Sequence, residues 1–250
     1  MARRLADDYG MAFPDHLRAL FSGGETVRRG CCLQGDRLVW MRELDHRDVC
    51  GLNDIRLRGW HNVLNVLAAC AIAGEAGADV DAMRQAATSF AGVSHRLELV
   101  LEREGVAYVN DSIATSPERS MAALRSYAEP IILLAGGRDK HLPWAEWADL
   151  AAQRARAVIL FGEAAGLIEE ALRGAFERAG ADARLTPAGV YRVRTLDEAV
   201  PLAVLHARSG DVVLLSPGGT SFDGFVDFAQ RGERFRQLVR GLAAGQEMRL

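Results

Sequence analysis

Hydrophobic and polar positions fall into two regimes along this chain. From about residue 97 onward, short continuous apolar runs alternate with segments whose apolar residues recur every three or four positions. The first kind of run predicts buried strands and the second amphipathic helices. Residues 97–101 and 106–109 read as a hairpin or as neighbouring strands. Helices over 117–127, 143–154, 164–179, 196–208 and 223–242 then alternate with strands over 131–135, 157–161, 190–193 and 212–215. Strands apolar along their whole length and separated by helices predict a mostly parallel sheet covered on both faces. Trp144 and Trp147, and the row Phe225, Phe228, Phe235, Leu238 and Leu242, fall at helical spacing and are assigned to the core.

The earlier part reads differently. A helix over about 59–77 carries a broad apolar face of Val63, Leu64, Val66, Leu67, Cys70 and Ile72, and a shorter helix covers 81–90. Gly92-Val93-Ser94-His95-Arg96 then breaks the pattern, and a domain boundary is placed there, giving domains 1–93 and 94–250. Before residue 50, the run Leu17-Arg18-Ala19-Leu20-Phe21 leads into the turn Ser22-Gly23-Gly24-Glu25. Leu38-Val39-Trp40-Met41 after Gly35-Asp36 reads as one arm of a small hairpin. No independent core is expected in this stretch.

Candidate chemistry gathers at three loops that follow buried strands. After the run Val106-Ala107-Tyr108-Val109 come Asn110-Asp111-Ser112-Ile113-Ala114-Thr115, and then Ser116-Pro117-Glu118, which has the form of a helix start. The second loop is Gly136-Gly137-Arg138-Asp139-Lys140 and the third Ser216-Pro217-Gly218-Gly219-Thr220-Ser221. In a parallel sheet the carboxyl ends of these strands share one edge, so the loops can converge there. Glycine pairs permit close approach of a ligand to the backbone, and free N–H groups at a helix start favour anions. Together they describe a pocket for a small carboxylate or phosphate, with Asp111 and Arg96 nearby. Each loop taken singly also reads as a well-capped turn. Asn62 and Asn65, three apart on a helix, project from one side; they can read the edge of a base, or one can cap while the other meets water.

Composition narrows the field. A net charge of -3 and a pI near 6.1 offer no basic field for nucleic acid or anionic membrane. The longest apolar stretch, 63–73, is too short to span a bilayer, and Met1-Ala2-Arg3-Arg4 leads to Asp7-Asp8 without the apolar core of a secretory signal. Cys31, Cys32, Cys50 and Cys70 form no C-x-x-C pair and read as free thiols in a reducing cytoplasm. Of the 30 basic residues a single one, Lys140, is lysine. That position therefore reads as wanting a compact, mobile ammonium, or as a surface lysine retained by chance. The sequence has no G-x-x-x-x-G-K-[ST] phosphate loop, no G-x-G-x-x-G after a strand and no clustered histidines, so no metal ligand is assigned. Gly219-Thr220-Ser221-Phe222-Asp223 misses the nucleophile elbow by one residue, and no histidine follows Ser221 as a serine hydrolase would need. No catalytic residue is assigned.

Taken in order, the motifs resemble a known family. They are Arg58-Gly59-Trp60-His61-Asn62-Val63-Leu64-Asn65, His95-Arg96-Leu97-Glu98, Asn110-Asp111-Ser112-Ile113-Ala114-Thr115, Gly136-Gly137-Arg138-Asp139-Lys140 and Leu214-Leu215-Ser216-Pro217, continuing to Ser221-Phe222-Asp223, Phe228, Arg231-Gly232 and Phe235. Over about residues 50–243 they look like the second half of a Mur ligase, of the kind that adds glutamate to UDP-N-acetylmuramoyl-L-alanine in peptidoglycan synthesis. The resemblance implies an α/β fold: a Rossmann-like, mostly parallel sheet with helices on both faces, preceded by the remnant of a central ATP-binding domain. It implies an ATP-dependent, amide-forming ligase of the cytoplasm that uses ATP and Mg2+. By position, Asn62, Asn65, Arg96 and Asp111 would meet ATP, and Thr115, Lys140, Ser221 and Phe228 the incoming glutamate.

The departures from the family are specific. Its phosphate loop, its metal-binding Glu and His and its carbamylated lysine have no counterpart, and Lys140 is the sole lysine. The chain is therefore expected to begin late in the central domain, with a separate N-terminal half as a partner beside the small-molecule substrates. Ile113, where a basic residue is common, and Phe222 after Ser221 leave the stereochemistry of the glutamate open. A non-catalytic amino-acid or nucleotide-binding module, and a related ligase such as a folylpolyglutamate synthase, are the alternatives.

Overall fold

The computed structural model describes residues 19–57, 59–179 and 189–243. Leu17, Arg18, Arg58 and the run 1–8 lie outside them. The chain divides into two compact units, Met1–Gly92 and Val93–Leu250.

The first unit contains a four-stranded sheet, of which the hydrophobic pattern marks only one hairpin arm, Leu38–Met41. Strand β1 (Leu20–Ser22) runs parallel to β2 (Arg29–Gln34), and β2, β3 (Arg37–Arg42) and β4 (Asp45–Gly51) form an antiparallel meander. Helix α1 (Trp60–Glu75) and helix α2 (Val80–Ser89) cover it. The core of these strands is shared with the helices that follow: Cys31, Leu38, Trp40, Val49 and Cys50 pack with Val63, Leu67 and Cys70 of α1 and Met83 and Ala87 of α2. The strands are inconspicuous in sequence because β2 buries cysteines between Arg29 and Gln34, and β4 opens with Asp45-His46-Arg47-Asp48 before its buried end. Gly74 lets α1 lie against the sheet: a Cβ there would sit 2.0 Å from Trp40 Nε1. All four cysteines are free and buried. No helix among the described residues is long and apolar enough to cross a membrane.

The second unit is the expected α/β sheet. Its strands are β5 (Glu98–Arg103), β6 (Val106–Asn110), β7 (Ile131–Gly136), β8 (Ala155–Phe161), β9 (Val190–Arg192) and β10 (Val212–Gly218), in the order β5-β6-β10-β7-β8-β9. Only the β5–β6 hairpin is antiparallel. Alternation along the central strands sorts the core into two layers. Val109, Leu133, Leu160 and Leu214 face helices α3 (Pro117–Arg125), α4 (Ala145–Arg154) and α5 (Ala165–Ala179). Tyr108, Ile132, Leu134, Ile159, Val213 and Leu215 face α6 (Leu196–His206) and α7 (Phe228–Ala243). Trp144 and Trp147 are buried, as expected.

Two expectations need correction. Helix α7 begins at Phe228, five residues late, because Gly224 and Phe225 turn back onto the Ser221 carbonyl and the Asp227 carboxylate accepts the Gln230 N–H at 2.7 Å. Phe225 therefore lies outside the helix, and Phe228, at its first position, is 36% exposed and not core. Chain order also determines which loops can meet. β10 enters last, between β6 and β7, so the carboxyl ends of three adjacent strands bring together loops distant in sequence.

Candidate functional site

Backbone contacts lock the three loops together. Arg138 and Thr220 exchange N–H···O bonds of 2.9 and 2.8 Å in an isolated antiparallel bridge, and Gly218 N–H donates to the Ala114 carbonyl at 2.9 Å. Gly137 makes the approach possible: its φ is +97°, and a Cβ would lie 2.1 Å from the Thr220 carbonyl oxygen. On this frame Lys140 Nζ donates to Thr115 Oγ1 at 3.1 Å, which joins two of the residues expected from sequence. Asp139 steadies the lysine's loop by accepting Trp144 Nε1–H at 3.0 Å and His141 N–H at 2.8 Å.

Beneath the loops lies a layer of buried polar groups. Asp111 accepts the Ser216 hydroxyl at 2.9 Å and Leu97 N–H at 3.2 Å. Burial pushes its carboxyl up to about 7, against the opposing pull of those two hydrogen bonds and of the Arg96 and Arg119 charges. Asn110 donates to the Gly232 carbonyl at 3.2 Å and meets His95 Nδ1 at 3.0 Å. His95 is held below its usual range by burial and by Arg236, with Glu98 opposing. Ser120 Oγ donates to the Ser216 carbonyl at 2.8 Å while accepting Trp147 Nε1–H at 2.9 Å.

Arg231 is fully buried. Its Nε donates to Ser112 Oγ at 3.0 Å, Nη2 to the Ser112 carbonyl at 2.9 Å, and both terminal nitrogens to the Gly219 carbonyl at 3.2 Å. Burial pushes its guanidinium down to about 10, with Asp223 opposing, so it stays charged at neutral pH.

The site residues expected from sequence are divided between the two units. Thr115 and Lys140 touch. Ser221, buried, follows the bridged Thr220. Phe228 is tied to the first loop through its carbonyl, which accepts the Ser112 hydroxyl at 2.8 Å. Asp111 lies in the buried layer, and Arg96 is exposed beside it. Asn62 and Asn65 belong to the first unit, where Asn65 Nδ2 donates to Asn62 Oδ1 at 3.4 Å. Ser112, Ser216 and Arg231 gained no role from sequence. Arg231 carried a signal, since it shares the stripe of Phe235, Val239 and Leu242 on α7.

Charge is unevenly placed. On or beside the three loops, the exposed cations Lys140, Arg96 and Arg119 have no carboxylate within ion-pair distance among the described residues, which leaves them open to anionic groups. A cavity of about 630 Å³ lies farther along the same sheet edge, lined by Phe161, Glu163, Arg192, Arg194, Asp223 and Arg234 among others. No group of three or more His, Cys, Asp or Glu among the described residues is spaced to hold a metal ion, so the Mg2+ that the resemblance implies has no ligand set there.

Comparison with known proteins bears on this edge of the sheet. Residues 95–219 match the family model for the Mur ligase, glutamate ligase domain. The chain is 40% identical over 222 residues to UDP-N-acetylmuramoylalanine--D-glutamate ligase of Clostridium novyi (strain NT), covering 89% of this chain and 46% of that relative. Among solved structures, UDP-N-acetylmuramate-alanine ligase of Thermotoga maritima superimposes with a TM-score of 0.61 at 18% identity, over 92% of this chain and 49% of that one. Mycobacterium tuberculosis folylpolyglutamate synthase does so with a TM-score of 0.57 at 16% identity, over 91% and 49%. At these identities the structural likeness concerns the fold alone. The chain spans about half the length of the curated relatives it matches.

Proposed function

Since the chain belongs to the Mur ligase family through its glutamate ligase domain, we propose that it supplies the glutamate-binding part of an ATP-dependent ligase acting on UDP-N-acetylmuramoyl-L-alanine in peptidoglycan synthesis. In that reaction ATP phosphorylates the substrate carboxylate, the amine of glutamate attacks the acyl phosphate, and phosphate leaves as the amide forms. The observation that carries the reading is the Lys140–Thr115 contact at the meeting of three interlocked loops. An ammonium held by a hydroxyl and free of any carboxylate suits a ligand carboxylate, and a charge-assisted bond of this kind is worth about 1.5–3 kcal/mol. Ser221 and Phe228 complete the glutamate pocket in this reading; Arg96 and Asp111 of the second unit, and separately Asn62 and Asn65 of the first, are read as nucleotide-binding residues. The names of the relatives favour the D enantiomer.

A second reading has its own support. The interlocked loops and open ammonium also suit a binding module that does no chemistry. Phosphate release separates the two. It is measured with ATP, Mg2+, UDP-N-acetylmuramoyl-L-alanine and either glutamate enantiomer, first with the chain alone and then with the N-terminal half of the Clostridium novyi relative supplied separately. Glutamate-dependent release in either arm supports the ligase. Glutamate binding without release in both supports the module, and turnover only with a folate acceptor assigns a folylpolyglutamate synthase activity instead. A chain that binds neither glutamate enantiomer defeats the first reading and its glutamate pocket.

A further inference from the structure

Arg231 stands apart from the other arginines of the second unit. It is completely buried, and no carboxylate among the described residues lies within ion-pair distance of it. Burying a cation against neutral partners is costly, and a methionine of similar length would fill the space without that cost. Its hydrogen bonds indicate what the charge is kept for. The guanidinium reaches Ser112, three residues before Thr115, and Gly219, two before Ser221. It also lies 2.9 Å from where a Cβ would stand on Gly137, three residues before Lys140. Ser112 passes the connection on to the carbonyl of Phe228, one turn earlier on α7. The four residues read as the glutamate pocket thus sit on segments that meet at one planar group. Arginine's fork fixes the angles between its donors, whereas an ammonium does not.

We propose that Arg231 is the positioning residue of the amino-acid pocket, setting the mutual spacing of the three loops that carry Thr115, Lys140 and Ser221. The proposal rests on reading those loops as that pocket, but its structural part is tested without a ligand. Arg231→Lys keeps the charge and loses the fork; Arg231→Met keeps the stem alone. Amide hydrogen exchange is measured on the full chain for both variants and the wild type, and D-glutamate affinity by calorimetry.

Segments 110–116, 136–140 and 216–221 are expected to exchange together, about ten- to a hundredfold faster in both variants, while β8 and β9 keep wild-type rates. D-glutamate affinity falls about tenfold or more in Arg231→Lys. Acceleration confined to α7, spread evenly over the unit, or absent would overturn the proposal, as would wild-type glutamate affinity in Arg231→Lys beside a wild type that binds. A residue that merely holds the fold would lower stability and leave the affinity of the folded protein unchanged. If the wild type binds no glutamate, the ligand reading is what fails, and the concerted loosening of the three loops still decides the role of Arg231. Should Arg231→Met fail to fold, Arg231→Lys carries both readouts.

Discussion

The carboxyl edge of the parallel sheet has two halves built on opposite principles. Over β6, β10 and β7 the polar groups are buried and satisfied largely by neutral partners: Asp111 by a hydroxyl and an amide, Arg231 by carbonyls and a hydroxyl. Above them three cations stay open. Over β8 and β9 lies a cavity of about 630 Å³, yet its arginines are engaged, Arg192 with Glu169, Arg194 with Glu198 and Arg234 with Asp197. A ligand carboxylate entering there must displace a protein carboxylate from each cation. Volume alone therefore points to the β8–β9 half, whereas unspent charge on a rigid floor points to the half proposed here to bind glutamate.

The sharpest way to break this contrast is to place the same methyl group on each half. At Gly137, Ala would meet the Thr220 carbonyl at 2.1 Å in a left-handed conformation. At Gly224, on the cavity wall, a Cβ meets nothing within 4 Å. Gly137→Ala is expected to cost about 2–5 kcal/mol in urea denaturation, and Gly224→Ala no more than about 0.5 kcal/mol. Equal costs would mean that the loop interlock adds no rigidity.

Titration should separate the halves by sign. The Asp111 carboxyl titrates near 7 when folded, against 3.8 as its ordinary value, so the folded state binds the extra proton between those limits. Stability from this site is accordingly lost as pH rises through that window. Asp111→Asn removes the dependence and should exceed the wild type at pH 8 by on the order of 4 kcal/mol. Glu163 and Glu198 on the other half are held below their usual range, by Arg138 and Arg194 respectively. Their contribution runs the opposite way: present at neutral pH and lost as pH falls. Denaturation midpoints between pH 4 and 8 check both senses. A wild-type profile that Asp111→Asn leaves unchanged would contradict the buried-carboxyl account.

These contrasts show where the sequence is legible. Strands β7, β8 and β10 are buried on both faces, so continuous apolar runs reveal them, and the loops after β6, β7 and β10 stand out as glycine- and hydroxyl-rich breaks. In the first unit only β3, with its apolar run Leu38-Val39-Trp40-Met41, shows in the pattern; β2 buries cysteines between polar ends and β4 opens with four charged or polar residues, so neither reads as a strand. Local pattern also gave no role to Arg231. Among Gln230, Glu233 and Arg234 it reads as solvent-facing, and only its place one turn before Phe235 on the buried stripe betrays it. What sequence cannot supply is the β6–β10–β7 adjacency, since the strand between the first two loops comes last in the chain.

Removal of the open lysine tests the ligand side of the contrast. Lys140→Ala should weaken glutamate binding about ten- to a hundredfold by calorimetry, the worth of one charge-assisted contact. Loss of under about twofold would take Lys140 out of the pocket and leave its bond to Thr115 a surface feature.

The smallest expected effect is the most discriminating. Arg194 lines the cavity over β8 and β9 and lies on the same sheet edge, so a simple basic-patch model would give it a share in glutamate binding. Its guanidinium is instead taken by Glu198 through contacts of 3.1 and 2.9 Å, and its side chain is largely exposed. An exposed pair of this kind contributes little, and its cation is already neutralised. The larger hold on Glu198, the backbone N–H of residue 194, remains when the side chain is removed. Arg194→Ala should therefore leave glutamate affinity within about twofold of wild type and lower stability at neutral pH by no more than about 0.5 kcal/mol. If it matched Lys140→Ala in weakening glutamate, the pocket would extend into the cavity. Burial of polar groups under neutral bonds would then no longer distinguish the binding half of the edge from the other.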